Sequence, residues 1–187
     1  AVYTKIKTND VLPLFDKMGE IQSIEGIKEG VENTNYLITL KSQKKFIFTI
    51  FEKRTKGSDL PFFNNAMLEF NQSGINCPSA IIINNKSIFE IQNKPCAIYS
   101  FIEGKQVSQP NNENLESLAD TISKMHEIGL KSNLRRPNDM LIPTWKYIIK
   151  KFEDYKGQHK SELKDVINLI NEMHDKFTIE LRTALIH

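Results

Sequence analysis

Tyr36, Ile38 and Leu40 alternate with Leu37 and Thr39, and this period of two predicts a strand with one buried face. An apolar run over 46–52 predicts its antiparallel partner. Upstream, Val11, Phe15 and Met18 suit a short helix that Asn9 or Asp10 would cap and Gly19 would end. Ser58 or Asp59 reads as the N-cap of a second helix, with Pro61 in its first turn. Phe63, Ala66, Met67 and Phe70 give that helix an apolar face before Gly74. Further strands are predicted at 80–83, 87–91 and 95–102. The first two join through Asn84-Asn85, residues that tolerate the left-handed backbone of a tight turn.

The pattern changes after Ile102. Glu103-Gly104-Lys105 and Gln109-Pro110-Asn111-Asn112 form a polar, turn-rich connector. Beyond it Leu115, Leu118, Ala119, Ile122, Met125, His126 and Gly129 make one long helical stripe. Trp145, Ile148, Ile149 and Phe152 make a second, and Val166, Ile170, Met173 and Phe177 a third. The expectation is an α+β chain: a β-rich lobe over 1–102, a hinge and connector over 103–114, and helices over 115–187.

Composition narrows the setting. A chain of 187 residues with 40% hydrophobic and 26% charged residues has the make-up of a soluble globular protein able to bury a core. Its 25 basic and 23 acidic residues are spread without a block of like charge, so nucleic acid is not indicated. No apolar run approaches a membrane span, and the opening Ala1-Val2-Tyr3-Thr4-Lys5 lacks the apolar region of a secretory signal. A cytoplasmic location is the default expectation. Cys77 and Cys96, without C-x-x-C spacing, read as buried thiols.

Few constellations carry chemistry. His126-Glu127 opens like H-E-x-x-H, but Leu130 stands at the fifth position, so His126 reads as a histidine packed at the edge of its stripe. His159 and His174 have no partners at ligand spacing, and no G-x-S-x-G occurs. The stretch 26–36 combines Gly26 and Gly30 with Asn33, Thr34 and Asn35. Such residues suit a loop that covers phosphates with backbone and side-chain donors, and equally an ordinary polar turn. The stretch fits neither G-x-G-x-x-G nor G-x-x-x-x-G-K-[ST].

Phosphoryl transfer stays compatible, because it asks for positioned donors and metal ligands rather than a protein nucleophile. In kinase-type folds a basic residue on the strand after the loop meets the phosphates. Here alternation puts Thr49, Phe51 and Lys53 on one face, so Thr49 holds the usual lysine position with Lys53 further along. Lys53 and Arg54 read equally as solvated charges at a strand end, and Glu69 as a lysine partner or a solvent-facing residue. Residues 99–104 have the extended character of a hinge.

Several segments, in order, resemble one family. They are Ala1-Val2-Tyr3-Thr4, Glu29-Gly30-Val31-Glu32-Asn33-Thr34-Asn35-Tyr36, Phe51-Glu52-Lys53-Arg54, Leu60-Pro61-Phe62-Phe63, Cys77-Pro78, Ser100-Phe101-Ile102-Glu103-Gly104, Leu118-Ala119 to Met125-His126, and Arg136-Pro137-Asn138. The family is the homoserine kinases of the aminoglycoside phosphotransferase and choline kinase-like type. The resemblance implies a protein-kinase-like, two-lobe fold and ATP-dependent phosphorylation of the L-homoserine hydroxyl, a step toward threonine, with Mg²⁺. Its partners would be ATP and homoserine, with no nucleic acid and no membrane.

The resemblance further implies Gly30, Asn33, Thr34 and Asn35 over the phosphates, Thr49 and Lys53 beneath them, and Ser100, Phe101 and Ile102 along adenine. In that family the sequence runs from I-H into H-[GA]-D-L-F-x-D-N. His187 would therefore open the catalytic loop, the acceptor-orienting Asp would lie two residues beyond it, and the Mg²⁺ ligands would follow. The 187 residues by themselves are then expected to be inactive. Choline, methylthioribose or an aminoglycoside stay open as acceptors, as does a nucleotide-binding module without transfer activity.

Overall fold

A computed structural model of the protein describes residues 2–138, 142–152 and 155–176. Its centre is a five-stranded antiparallel sheet of β1 (Ile21–Gly26), β2 (Thr34–Leu40), β3 (Lys45–Ile50), β4 (Phe89–Ile91) and β5 (Lys94–Ser100), in the order β1-β2-β3-β5-β4. The helices are α1 (Thr8–Phe15), α2 (Leu60–Gln72), α3 (Asn112–Lys131), α4 (Ile142–Lys150) and α5 (Lys160–Lys176). The chain divides into two compact units, one of them Ala1–Leu134 with the sheet and α1 to α3. The other begins at Arg135 and holds α4 and α5, which pack against each other.

The alternation of β2 becomes two working faces. Tyr36, Ile38 and Leu40 share one face with Phe46, Phe48, Ile50, Cys96 and Ile98, and α1 covers it with Val11 and Phe15. Burying one such phenylalanine or isoleucine contributes about 1.5–3 kcal/mol, so this face anchors the lobe. Across the sheet, Phe51, Ala97 and Tyr99 pack against Leu60 of α2. Register couples the strands: Asn35 opposes Thr49, which opposes Ala97, while Phe46 opposes Ser100.

Several local expectations shift. Helix α1 starts at Thr8, because the Lys7 N–H donates to Asp10 Oδ2 at 2.7 Å and Asp10 serves from inside the first turn. The strand expected over 80–83 is reduced to isolated bridges, Ala80 with Tyr99 and Ile83 with Lys86, and that over 87–91 to the three residues of β4. Ile82 is 69% exposed, so this edge segment lacks the buried face that propagates a strand. Asn84 and Asn85 do take left-handed φ values of 49° and 62°, and Gln92 and Asn93 repeat this at 50° and 60° between β4 and β5.

On α2 the exposed Phe63 leaves the buried face to Leu60, Asn64, Ala66 and Phe70. Helix α3 is capped reciprocally by Asn111 and Asn114, each side-chain oxygen accepting the other's backbone N–H, at 2.9 and 3.1 Å. Its Met125 and Ile128 pack on the Ala66, Phe70 and Ile75 cluster, whereas Leu115 and Leu118 are 52% and 55% exposed. Among the described residues no helix is long and apolar enough to cross a membrane.

Candidate functional site

The loop over 27–33 joins β1 to β2 and is closed at its base by Ile27 N–H donating to the Asn35 carbonyl at 2.9 Å. Gly30 has φ of +90°, with open space where a Cβ would stand. Backbone conformation, rather than crowding, therefore selects glycine at this position. Val31 at the tip is 83% exposed. Arg54 pairs with Glu32 at 2.5 Å, linking the loop to the segment after β3.

On the α2 side of the sheet, Thr49 donates its hydroxyl proton to Asn35 Oδ1 at 2.8 Å. Lys45 stands on the same face at the other end of β3. Its ammonium pairs with Glu103 at 3.0 Å and lies 5.1 Å from the centre of the Phe101 ring. The end of β5 is pinned twice: Ser100 N–H donates to the Ser79 carbonyl, and Ser79 N–H to Ser100 Oγ, both at 2.9 Å. Phe101 and Ile102 follow beyond the ladder, half-buried.

Ser100 aligns with Phe46, and Thr34 with Ile50. Loop and hinge thus sit at opposite ends of a four-residue step along β3, ~14 Å apart at about 3.4 Å per residue. That span suits an extended nucleotide, with its base at one end and its phosphates at the other.

Tyr99 fixes the wall between hinge and helix. Its hydroxyl donates to Asn64 Oδ1 at 2.9 Å, and Asn64 donates onward to Ser87 Oγ at 3.1 Å. Burial pushes the Tyr99 phenol up to about 12.

The opposite face carries a charged cluster. Glu52, with a side chain only 8% exposed, accepts from Thr34 Oγ1 at 2.6 Å, from Thr4 Oγ1 at 2.7 Å and from the Lys94 ammonium. Lys94 also donates to Thr4 Oγ1 at 2.7 Å. Burial alone would raise the Glu52 carboxyl. The hydrogen bonds from Lys94, Thr34 and Thr4, with the Lys94 charge, outweigh it and lower the carboxyl to about 2.

The structure thus gathers Gly30, Asn33, Asn35 and Thr49 at the loop end and Ser100, Phe101 and Ile102 at the hinge end. Asn33 Oδ1 accepts the Glu52 N–H at 3.4 Å. Thr34 departs from its expected place over the phosphates. It is fully buried, and its hydroxyl accepts the N–H groups of Tyr3 and Thr4 while donating to Glu52, which uses all of its hydrogen-bonding capacity.

Lys53 also differs from its strand assignment. The strand ends at Ile50, the Phe51 N–H bonds the Pro95 carbonyl, and Lys53 sits exposed in the bend that follows. Among the described residues it has no ion pair, with Glu69 or otherwise. His187 lies outside the described residues. Cys77 and Cys96 are free thiols. No group of three His, Cys, Asp or Glu side chains gathers as metal ligands among the described residues.

Sequence reasoning missed the Glu52 cluster. A signal was present, because alternation puts Glu52 in phase with Phe48 and Ile50, on the core side, where a carboxylate requires partners.

Comparison with known proteins extends this picture. A family model described as "Phosphotransferase enzyme family" matches residues 23–187. The chain is 36% identical over 151 residues to the homoserine kinase of Bartonella tribocorum, covering 79% of this chain and 47% of that protein. To the homoserine kinase of Brucella anthropi it is 37% identical over 150 residues, covering 78% and 45%. The chain therefore spans about half the length of the curated relatives it matches.

Among solved structures, an amicoumacin kinase in complex with AMP-PNP, Ca²⁺ and Ami superposes with a TM-score of 0.71 at 15% identity, over 95% of this chain and 55% of that one. A spectinomycin phosphotransferase in complex with ADP and spectinomycin gives 0.67 at 12% identity, over 95% and 60%. These likenesses establish the kinase-like α+β fold.

Proposed function

This chain belongs to the phosphotransferase enzyme family, and on that basis we propose that the protein transfers the γ-phosphoryl group of ATP to the hydroxyl of L-homoserine. What carries the choice of acceptor is the 36–37% identity, over nearly four fifths of the chain, to two homoserine kinases. The nucleotide side is supported by the loop and hinge at the two ends of the β3 step.

In this reading residues 1–102 form the nucleotide lobe, 103–114 the connector, and the helical part begins at 115. Backbone N–H groups around Gly30, with Asn33 and Asn35, cover the phosphates, while Thr49 approaches them from β3 and Lys53 from the bend that follows it. Ser100, Phe101 and Ile102 run along the base. Thr34 contributes by fixing the loop's exit.

Two solved neighbours are described with ADP, and with AMP-PNP and Ca²⁺, which supports a nucleotide taken up with a divalent ion, Mg²⁺ in this proposal. A bound Mg²⁺ supplies charge neutralisation at the transferring phosphoryl. In this reading the described residues act on the nucleotide rather than on the metal. What they do is bind, align and shield the nucleotide, so the contribution of this chain is positional. The reaction would serve threonine formation in the cytoplasm.

The test is ADP release by the full-length protein with homoserine, choline, methylthioribose and an aminoglycoside in turn. Homoserine-dependent release, with phosphohomoserine seen by mass spectrometry, is the expected result. Turnover of choline but not homoserine overturns the choice of acceptor. A polypeptide ending at His187 is expected to bind MgATP without turnover, and phosphorylation by it would contradict the division of roles.

A further inference from the structure

The segment from Val2 to Lys7 precedes β1, yet it meets the tip of the 27–33 loop and the strand residues on either side of it. At the loop's entry, a Cβ added to Gly26 would stand 2.9 Å from Val2 Cγ2, so the Val2 side chain packs closely on the Gly26 backbone. At the tip, the Tyr3 hydroxyl donates to the Val31 carbonyl at 2.9 Å, across 28 residues of sequence. At the exit, Tyr3 N–H and Thr4 N–H both donate to Thr34 Oγ1, at 2.9 and 3.1 Å.

The segment is itself held. Tyr36 donates its hydroxyl proton to the Thr4 carbonyl at 2.8 Å, and Thr4 Oγ1 reaches the Glu52 carboxylate. Tyr3 is 57% exposed, so core burial does not account for its position. Its hydroxyl ties the highly exposed loop tip to a segment that is anchored on the core.

We propose that Tyr3 is a positioning residue for nucleotide binding, holding the β1–β2 loop from its outer side in the pose that presents backbone donors to phosphate. The proposal rests on the nucleotide reading above. A loop already ordered before binding loses less conformational freedom when the ligand arrives, so the tether acts on nucleotide affinity. It has no route to the acceptor.

The test uses the full-length protein and the variant Tyr3→Phe, which keeps the ring and removes only the hydroxyl. One hydrogen bond of ordinary net strength corresponds to roughly a 3- to 10-fold change. The MgATP KM is therefore expected to rise about 3- to 10-fold, while kcat, the acceptor KM and the melting temperature stay at their wild-type values. Hydrogen exchange of the amides over 27–33, measured without nucleotide, is expected to speed up in the variant. An unchanged MgATP KM, or an acceptor KM that rises in step with it, overturns the proposal. If wild type itself binds no MgATP, the nucleotide reading falls and takes the proposal with it. If wild type binds and the variant is indistinguishable, the proposal alone falls.

Discussion

The hydroxyl of Thr34 donates to the carboxylate of Glu52 at 2.6 Å, where the loop's exit, the N-terminal segment and the end of β3 converge. Burial raises the Glu52 carboxyl, but hydrogen bonds from Lys94, Thr34 and Thr4 and the Lys94 charge bring it from the ordinary 4.5 to about 2. A carboxyl that is lower in the folded state than in the unfolded state stabilises the fold fully above the unfolded value. That stabilisation is lost as pH falls from 4.5 toward 2. The difference corresponds to roughly 2–3 kcal/mol, allowing for solvent around the partly exposed Lys94. Urea unfolding near neutral pH and near pH 3 checks this. Glu52→Gln is expected to be less stable by about that amount at neutral pH and to show a flatter acid limb. Parallel acid limbs in variant and wild type would show that the carboxylate is not held.

Tyr99 and Asn64 are expected to behave as a coupled pair. Tyr99→Phe leaves the buried Asn64 oxygen without its donor, at a cost of about 1–2 kcal/mol, and Asn64→Leu strands the phenol similarly. The double variant replaces a polar contact with an apolar one and is expected to recover about 1 kcal/mol relative to the sum. A double-mutant cycle by chemical denaturation measures the coupling. Strict additivity would mean that the hydrogen bond carries no net stabilisation.

Thr49 and Lys53 compete for one role, and nucleotide titration separates them. Lys53→Met removes an exposed charge and is expected to change stability by less than about 0.5 kcal/mol. If its ammonium swings onto the phosphates, MgATP affinity falls about fivefold or more, and less so at high salt. An unchanged affinity returns Lys53 to solvent. Thr49→Val removes the donor to Asn35 and is expected to weaken MgATP while costing about 1 kcal/mol of stability.

Asn111→Ala removes one half of the reciprocal cap on α3. A loss of about 1 kcal/mol is expected, read from thermal unfolding followed by helix circular dichroism. No change would mean that Asn114 caps the helix unaided.

The periodic parts of the fold were legible. Alternation at Tyr36, Ile38 and Leu40 marks the buried face of β2, and the stripe through Ile122, Met125 and Gly129 marks the inner face of α3, because solvent on one side writes a period into the residues. Contacts between distant residues were not legible. Asn64 looks like a surface residue until Tyr99 is seen beside it, and Thr34 looks like a phosphate ligand until Tyr3, Thr4 and Glu52 take up its hydroxyl. Lys53 was misread as a strand residue because alternation carries no mark of where the ladder ends, which here depends on Phe51 meeting Pro95. The Gly26 to Asn35 loop was found by its glycines, but what holds it lies at the start of the chain.

The hairpin between β4 and β5 turns on two left-handed residues, Gln92 and Asn93, and pairs Ile91 with Lys94. Lys94 is held in β5 by the pairing of that strand with β3, so inserting one residue into this turn would shift the register of the edge strand β4 and turn Ile91 away from the core. Surface turns ordinarily tolerate changes in length. This one is fixed by Ile91, buried in the main core cluster, and relatives of this chain should vary the residues of the turn while keeping their number.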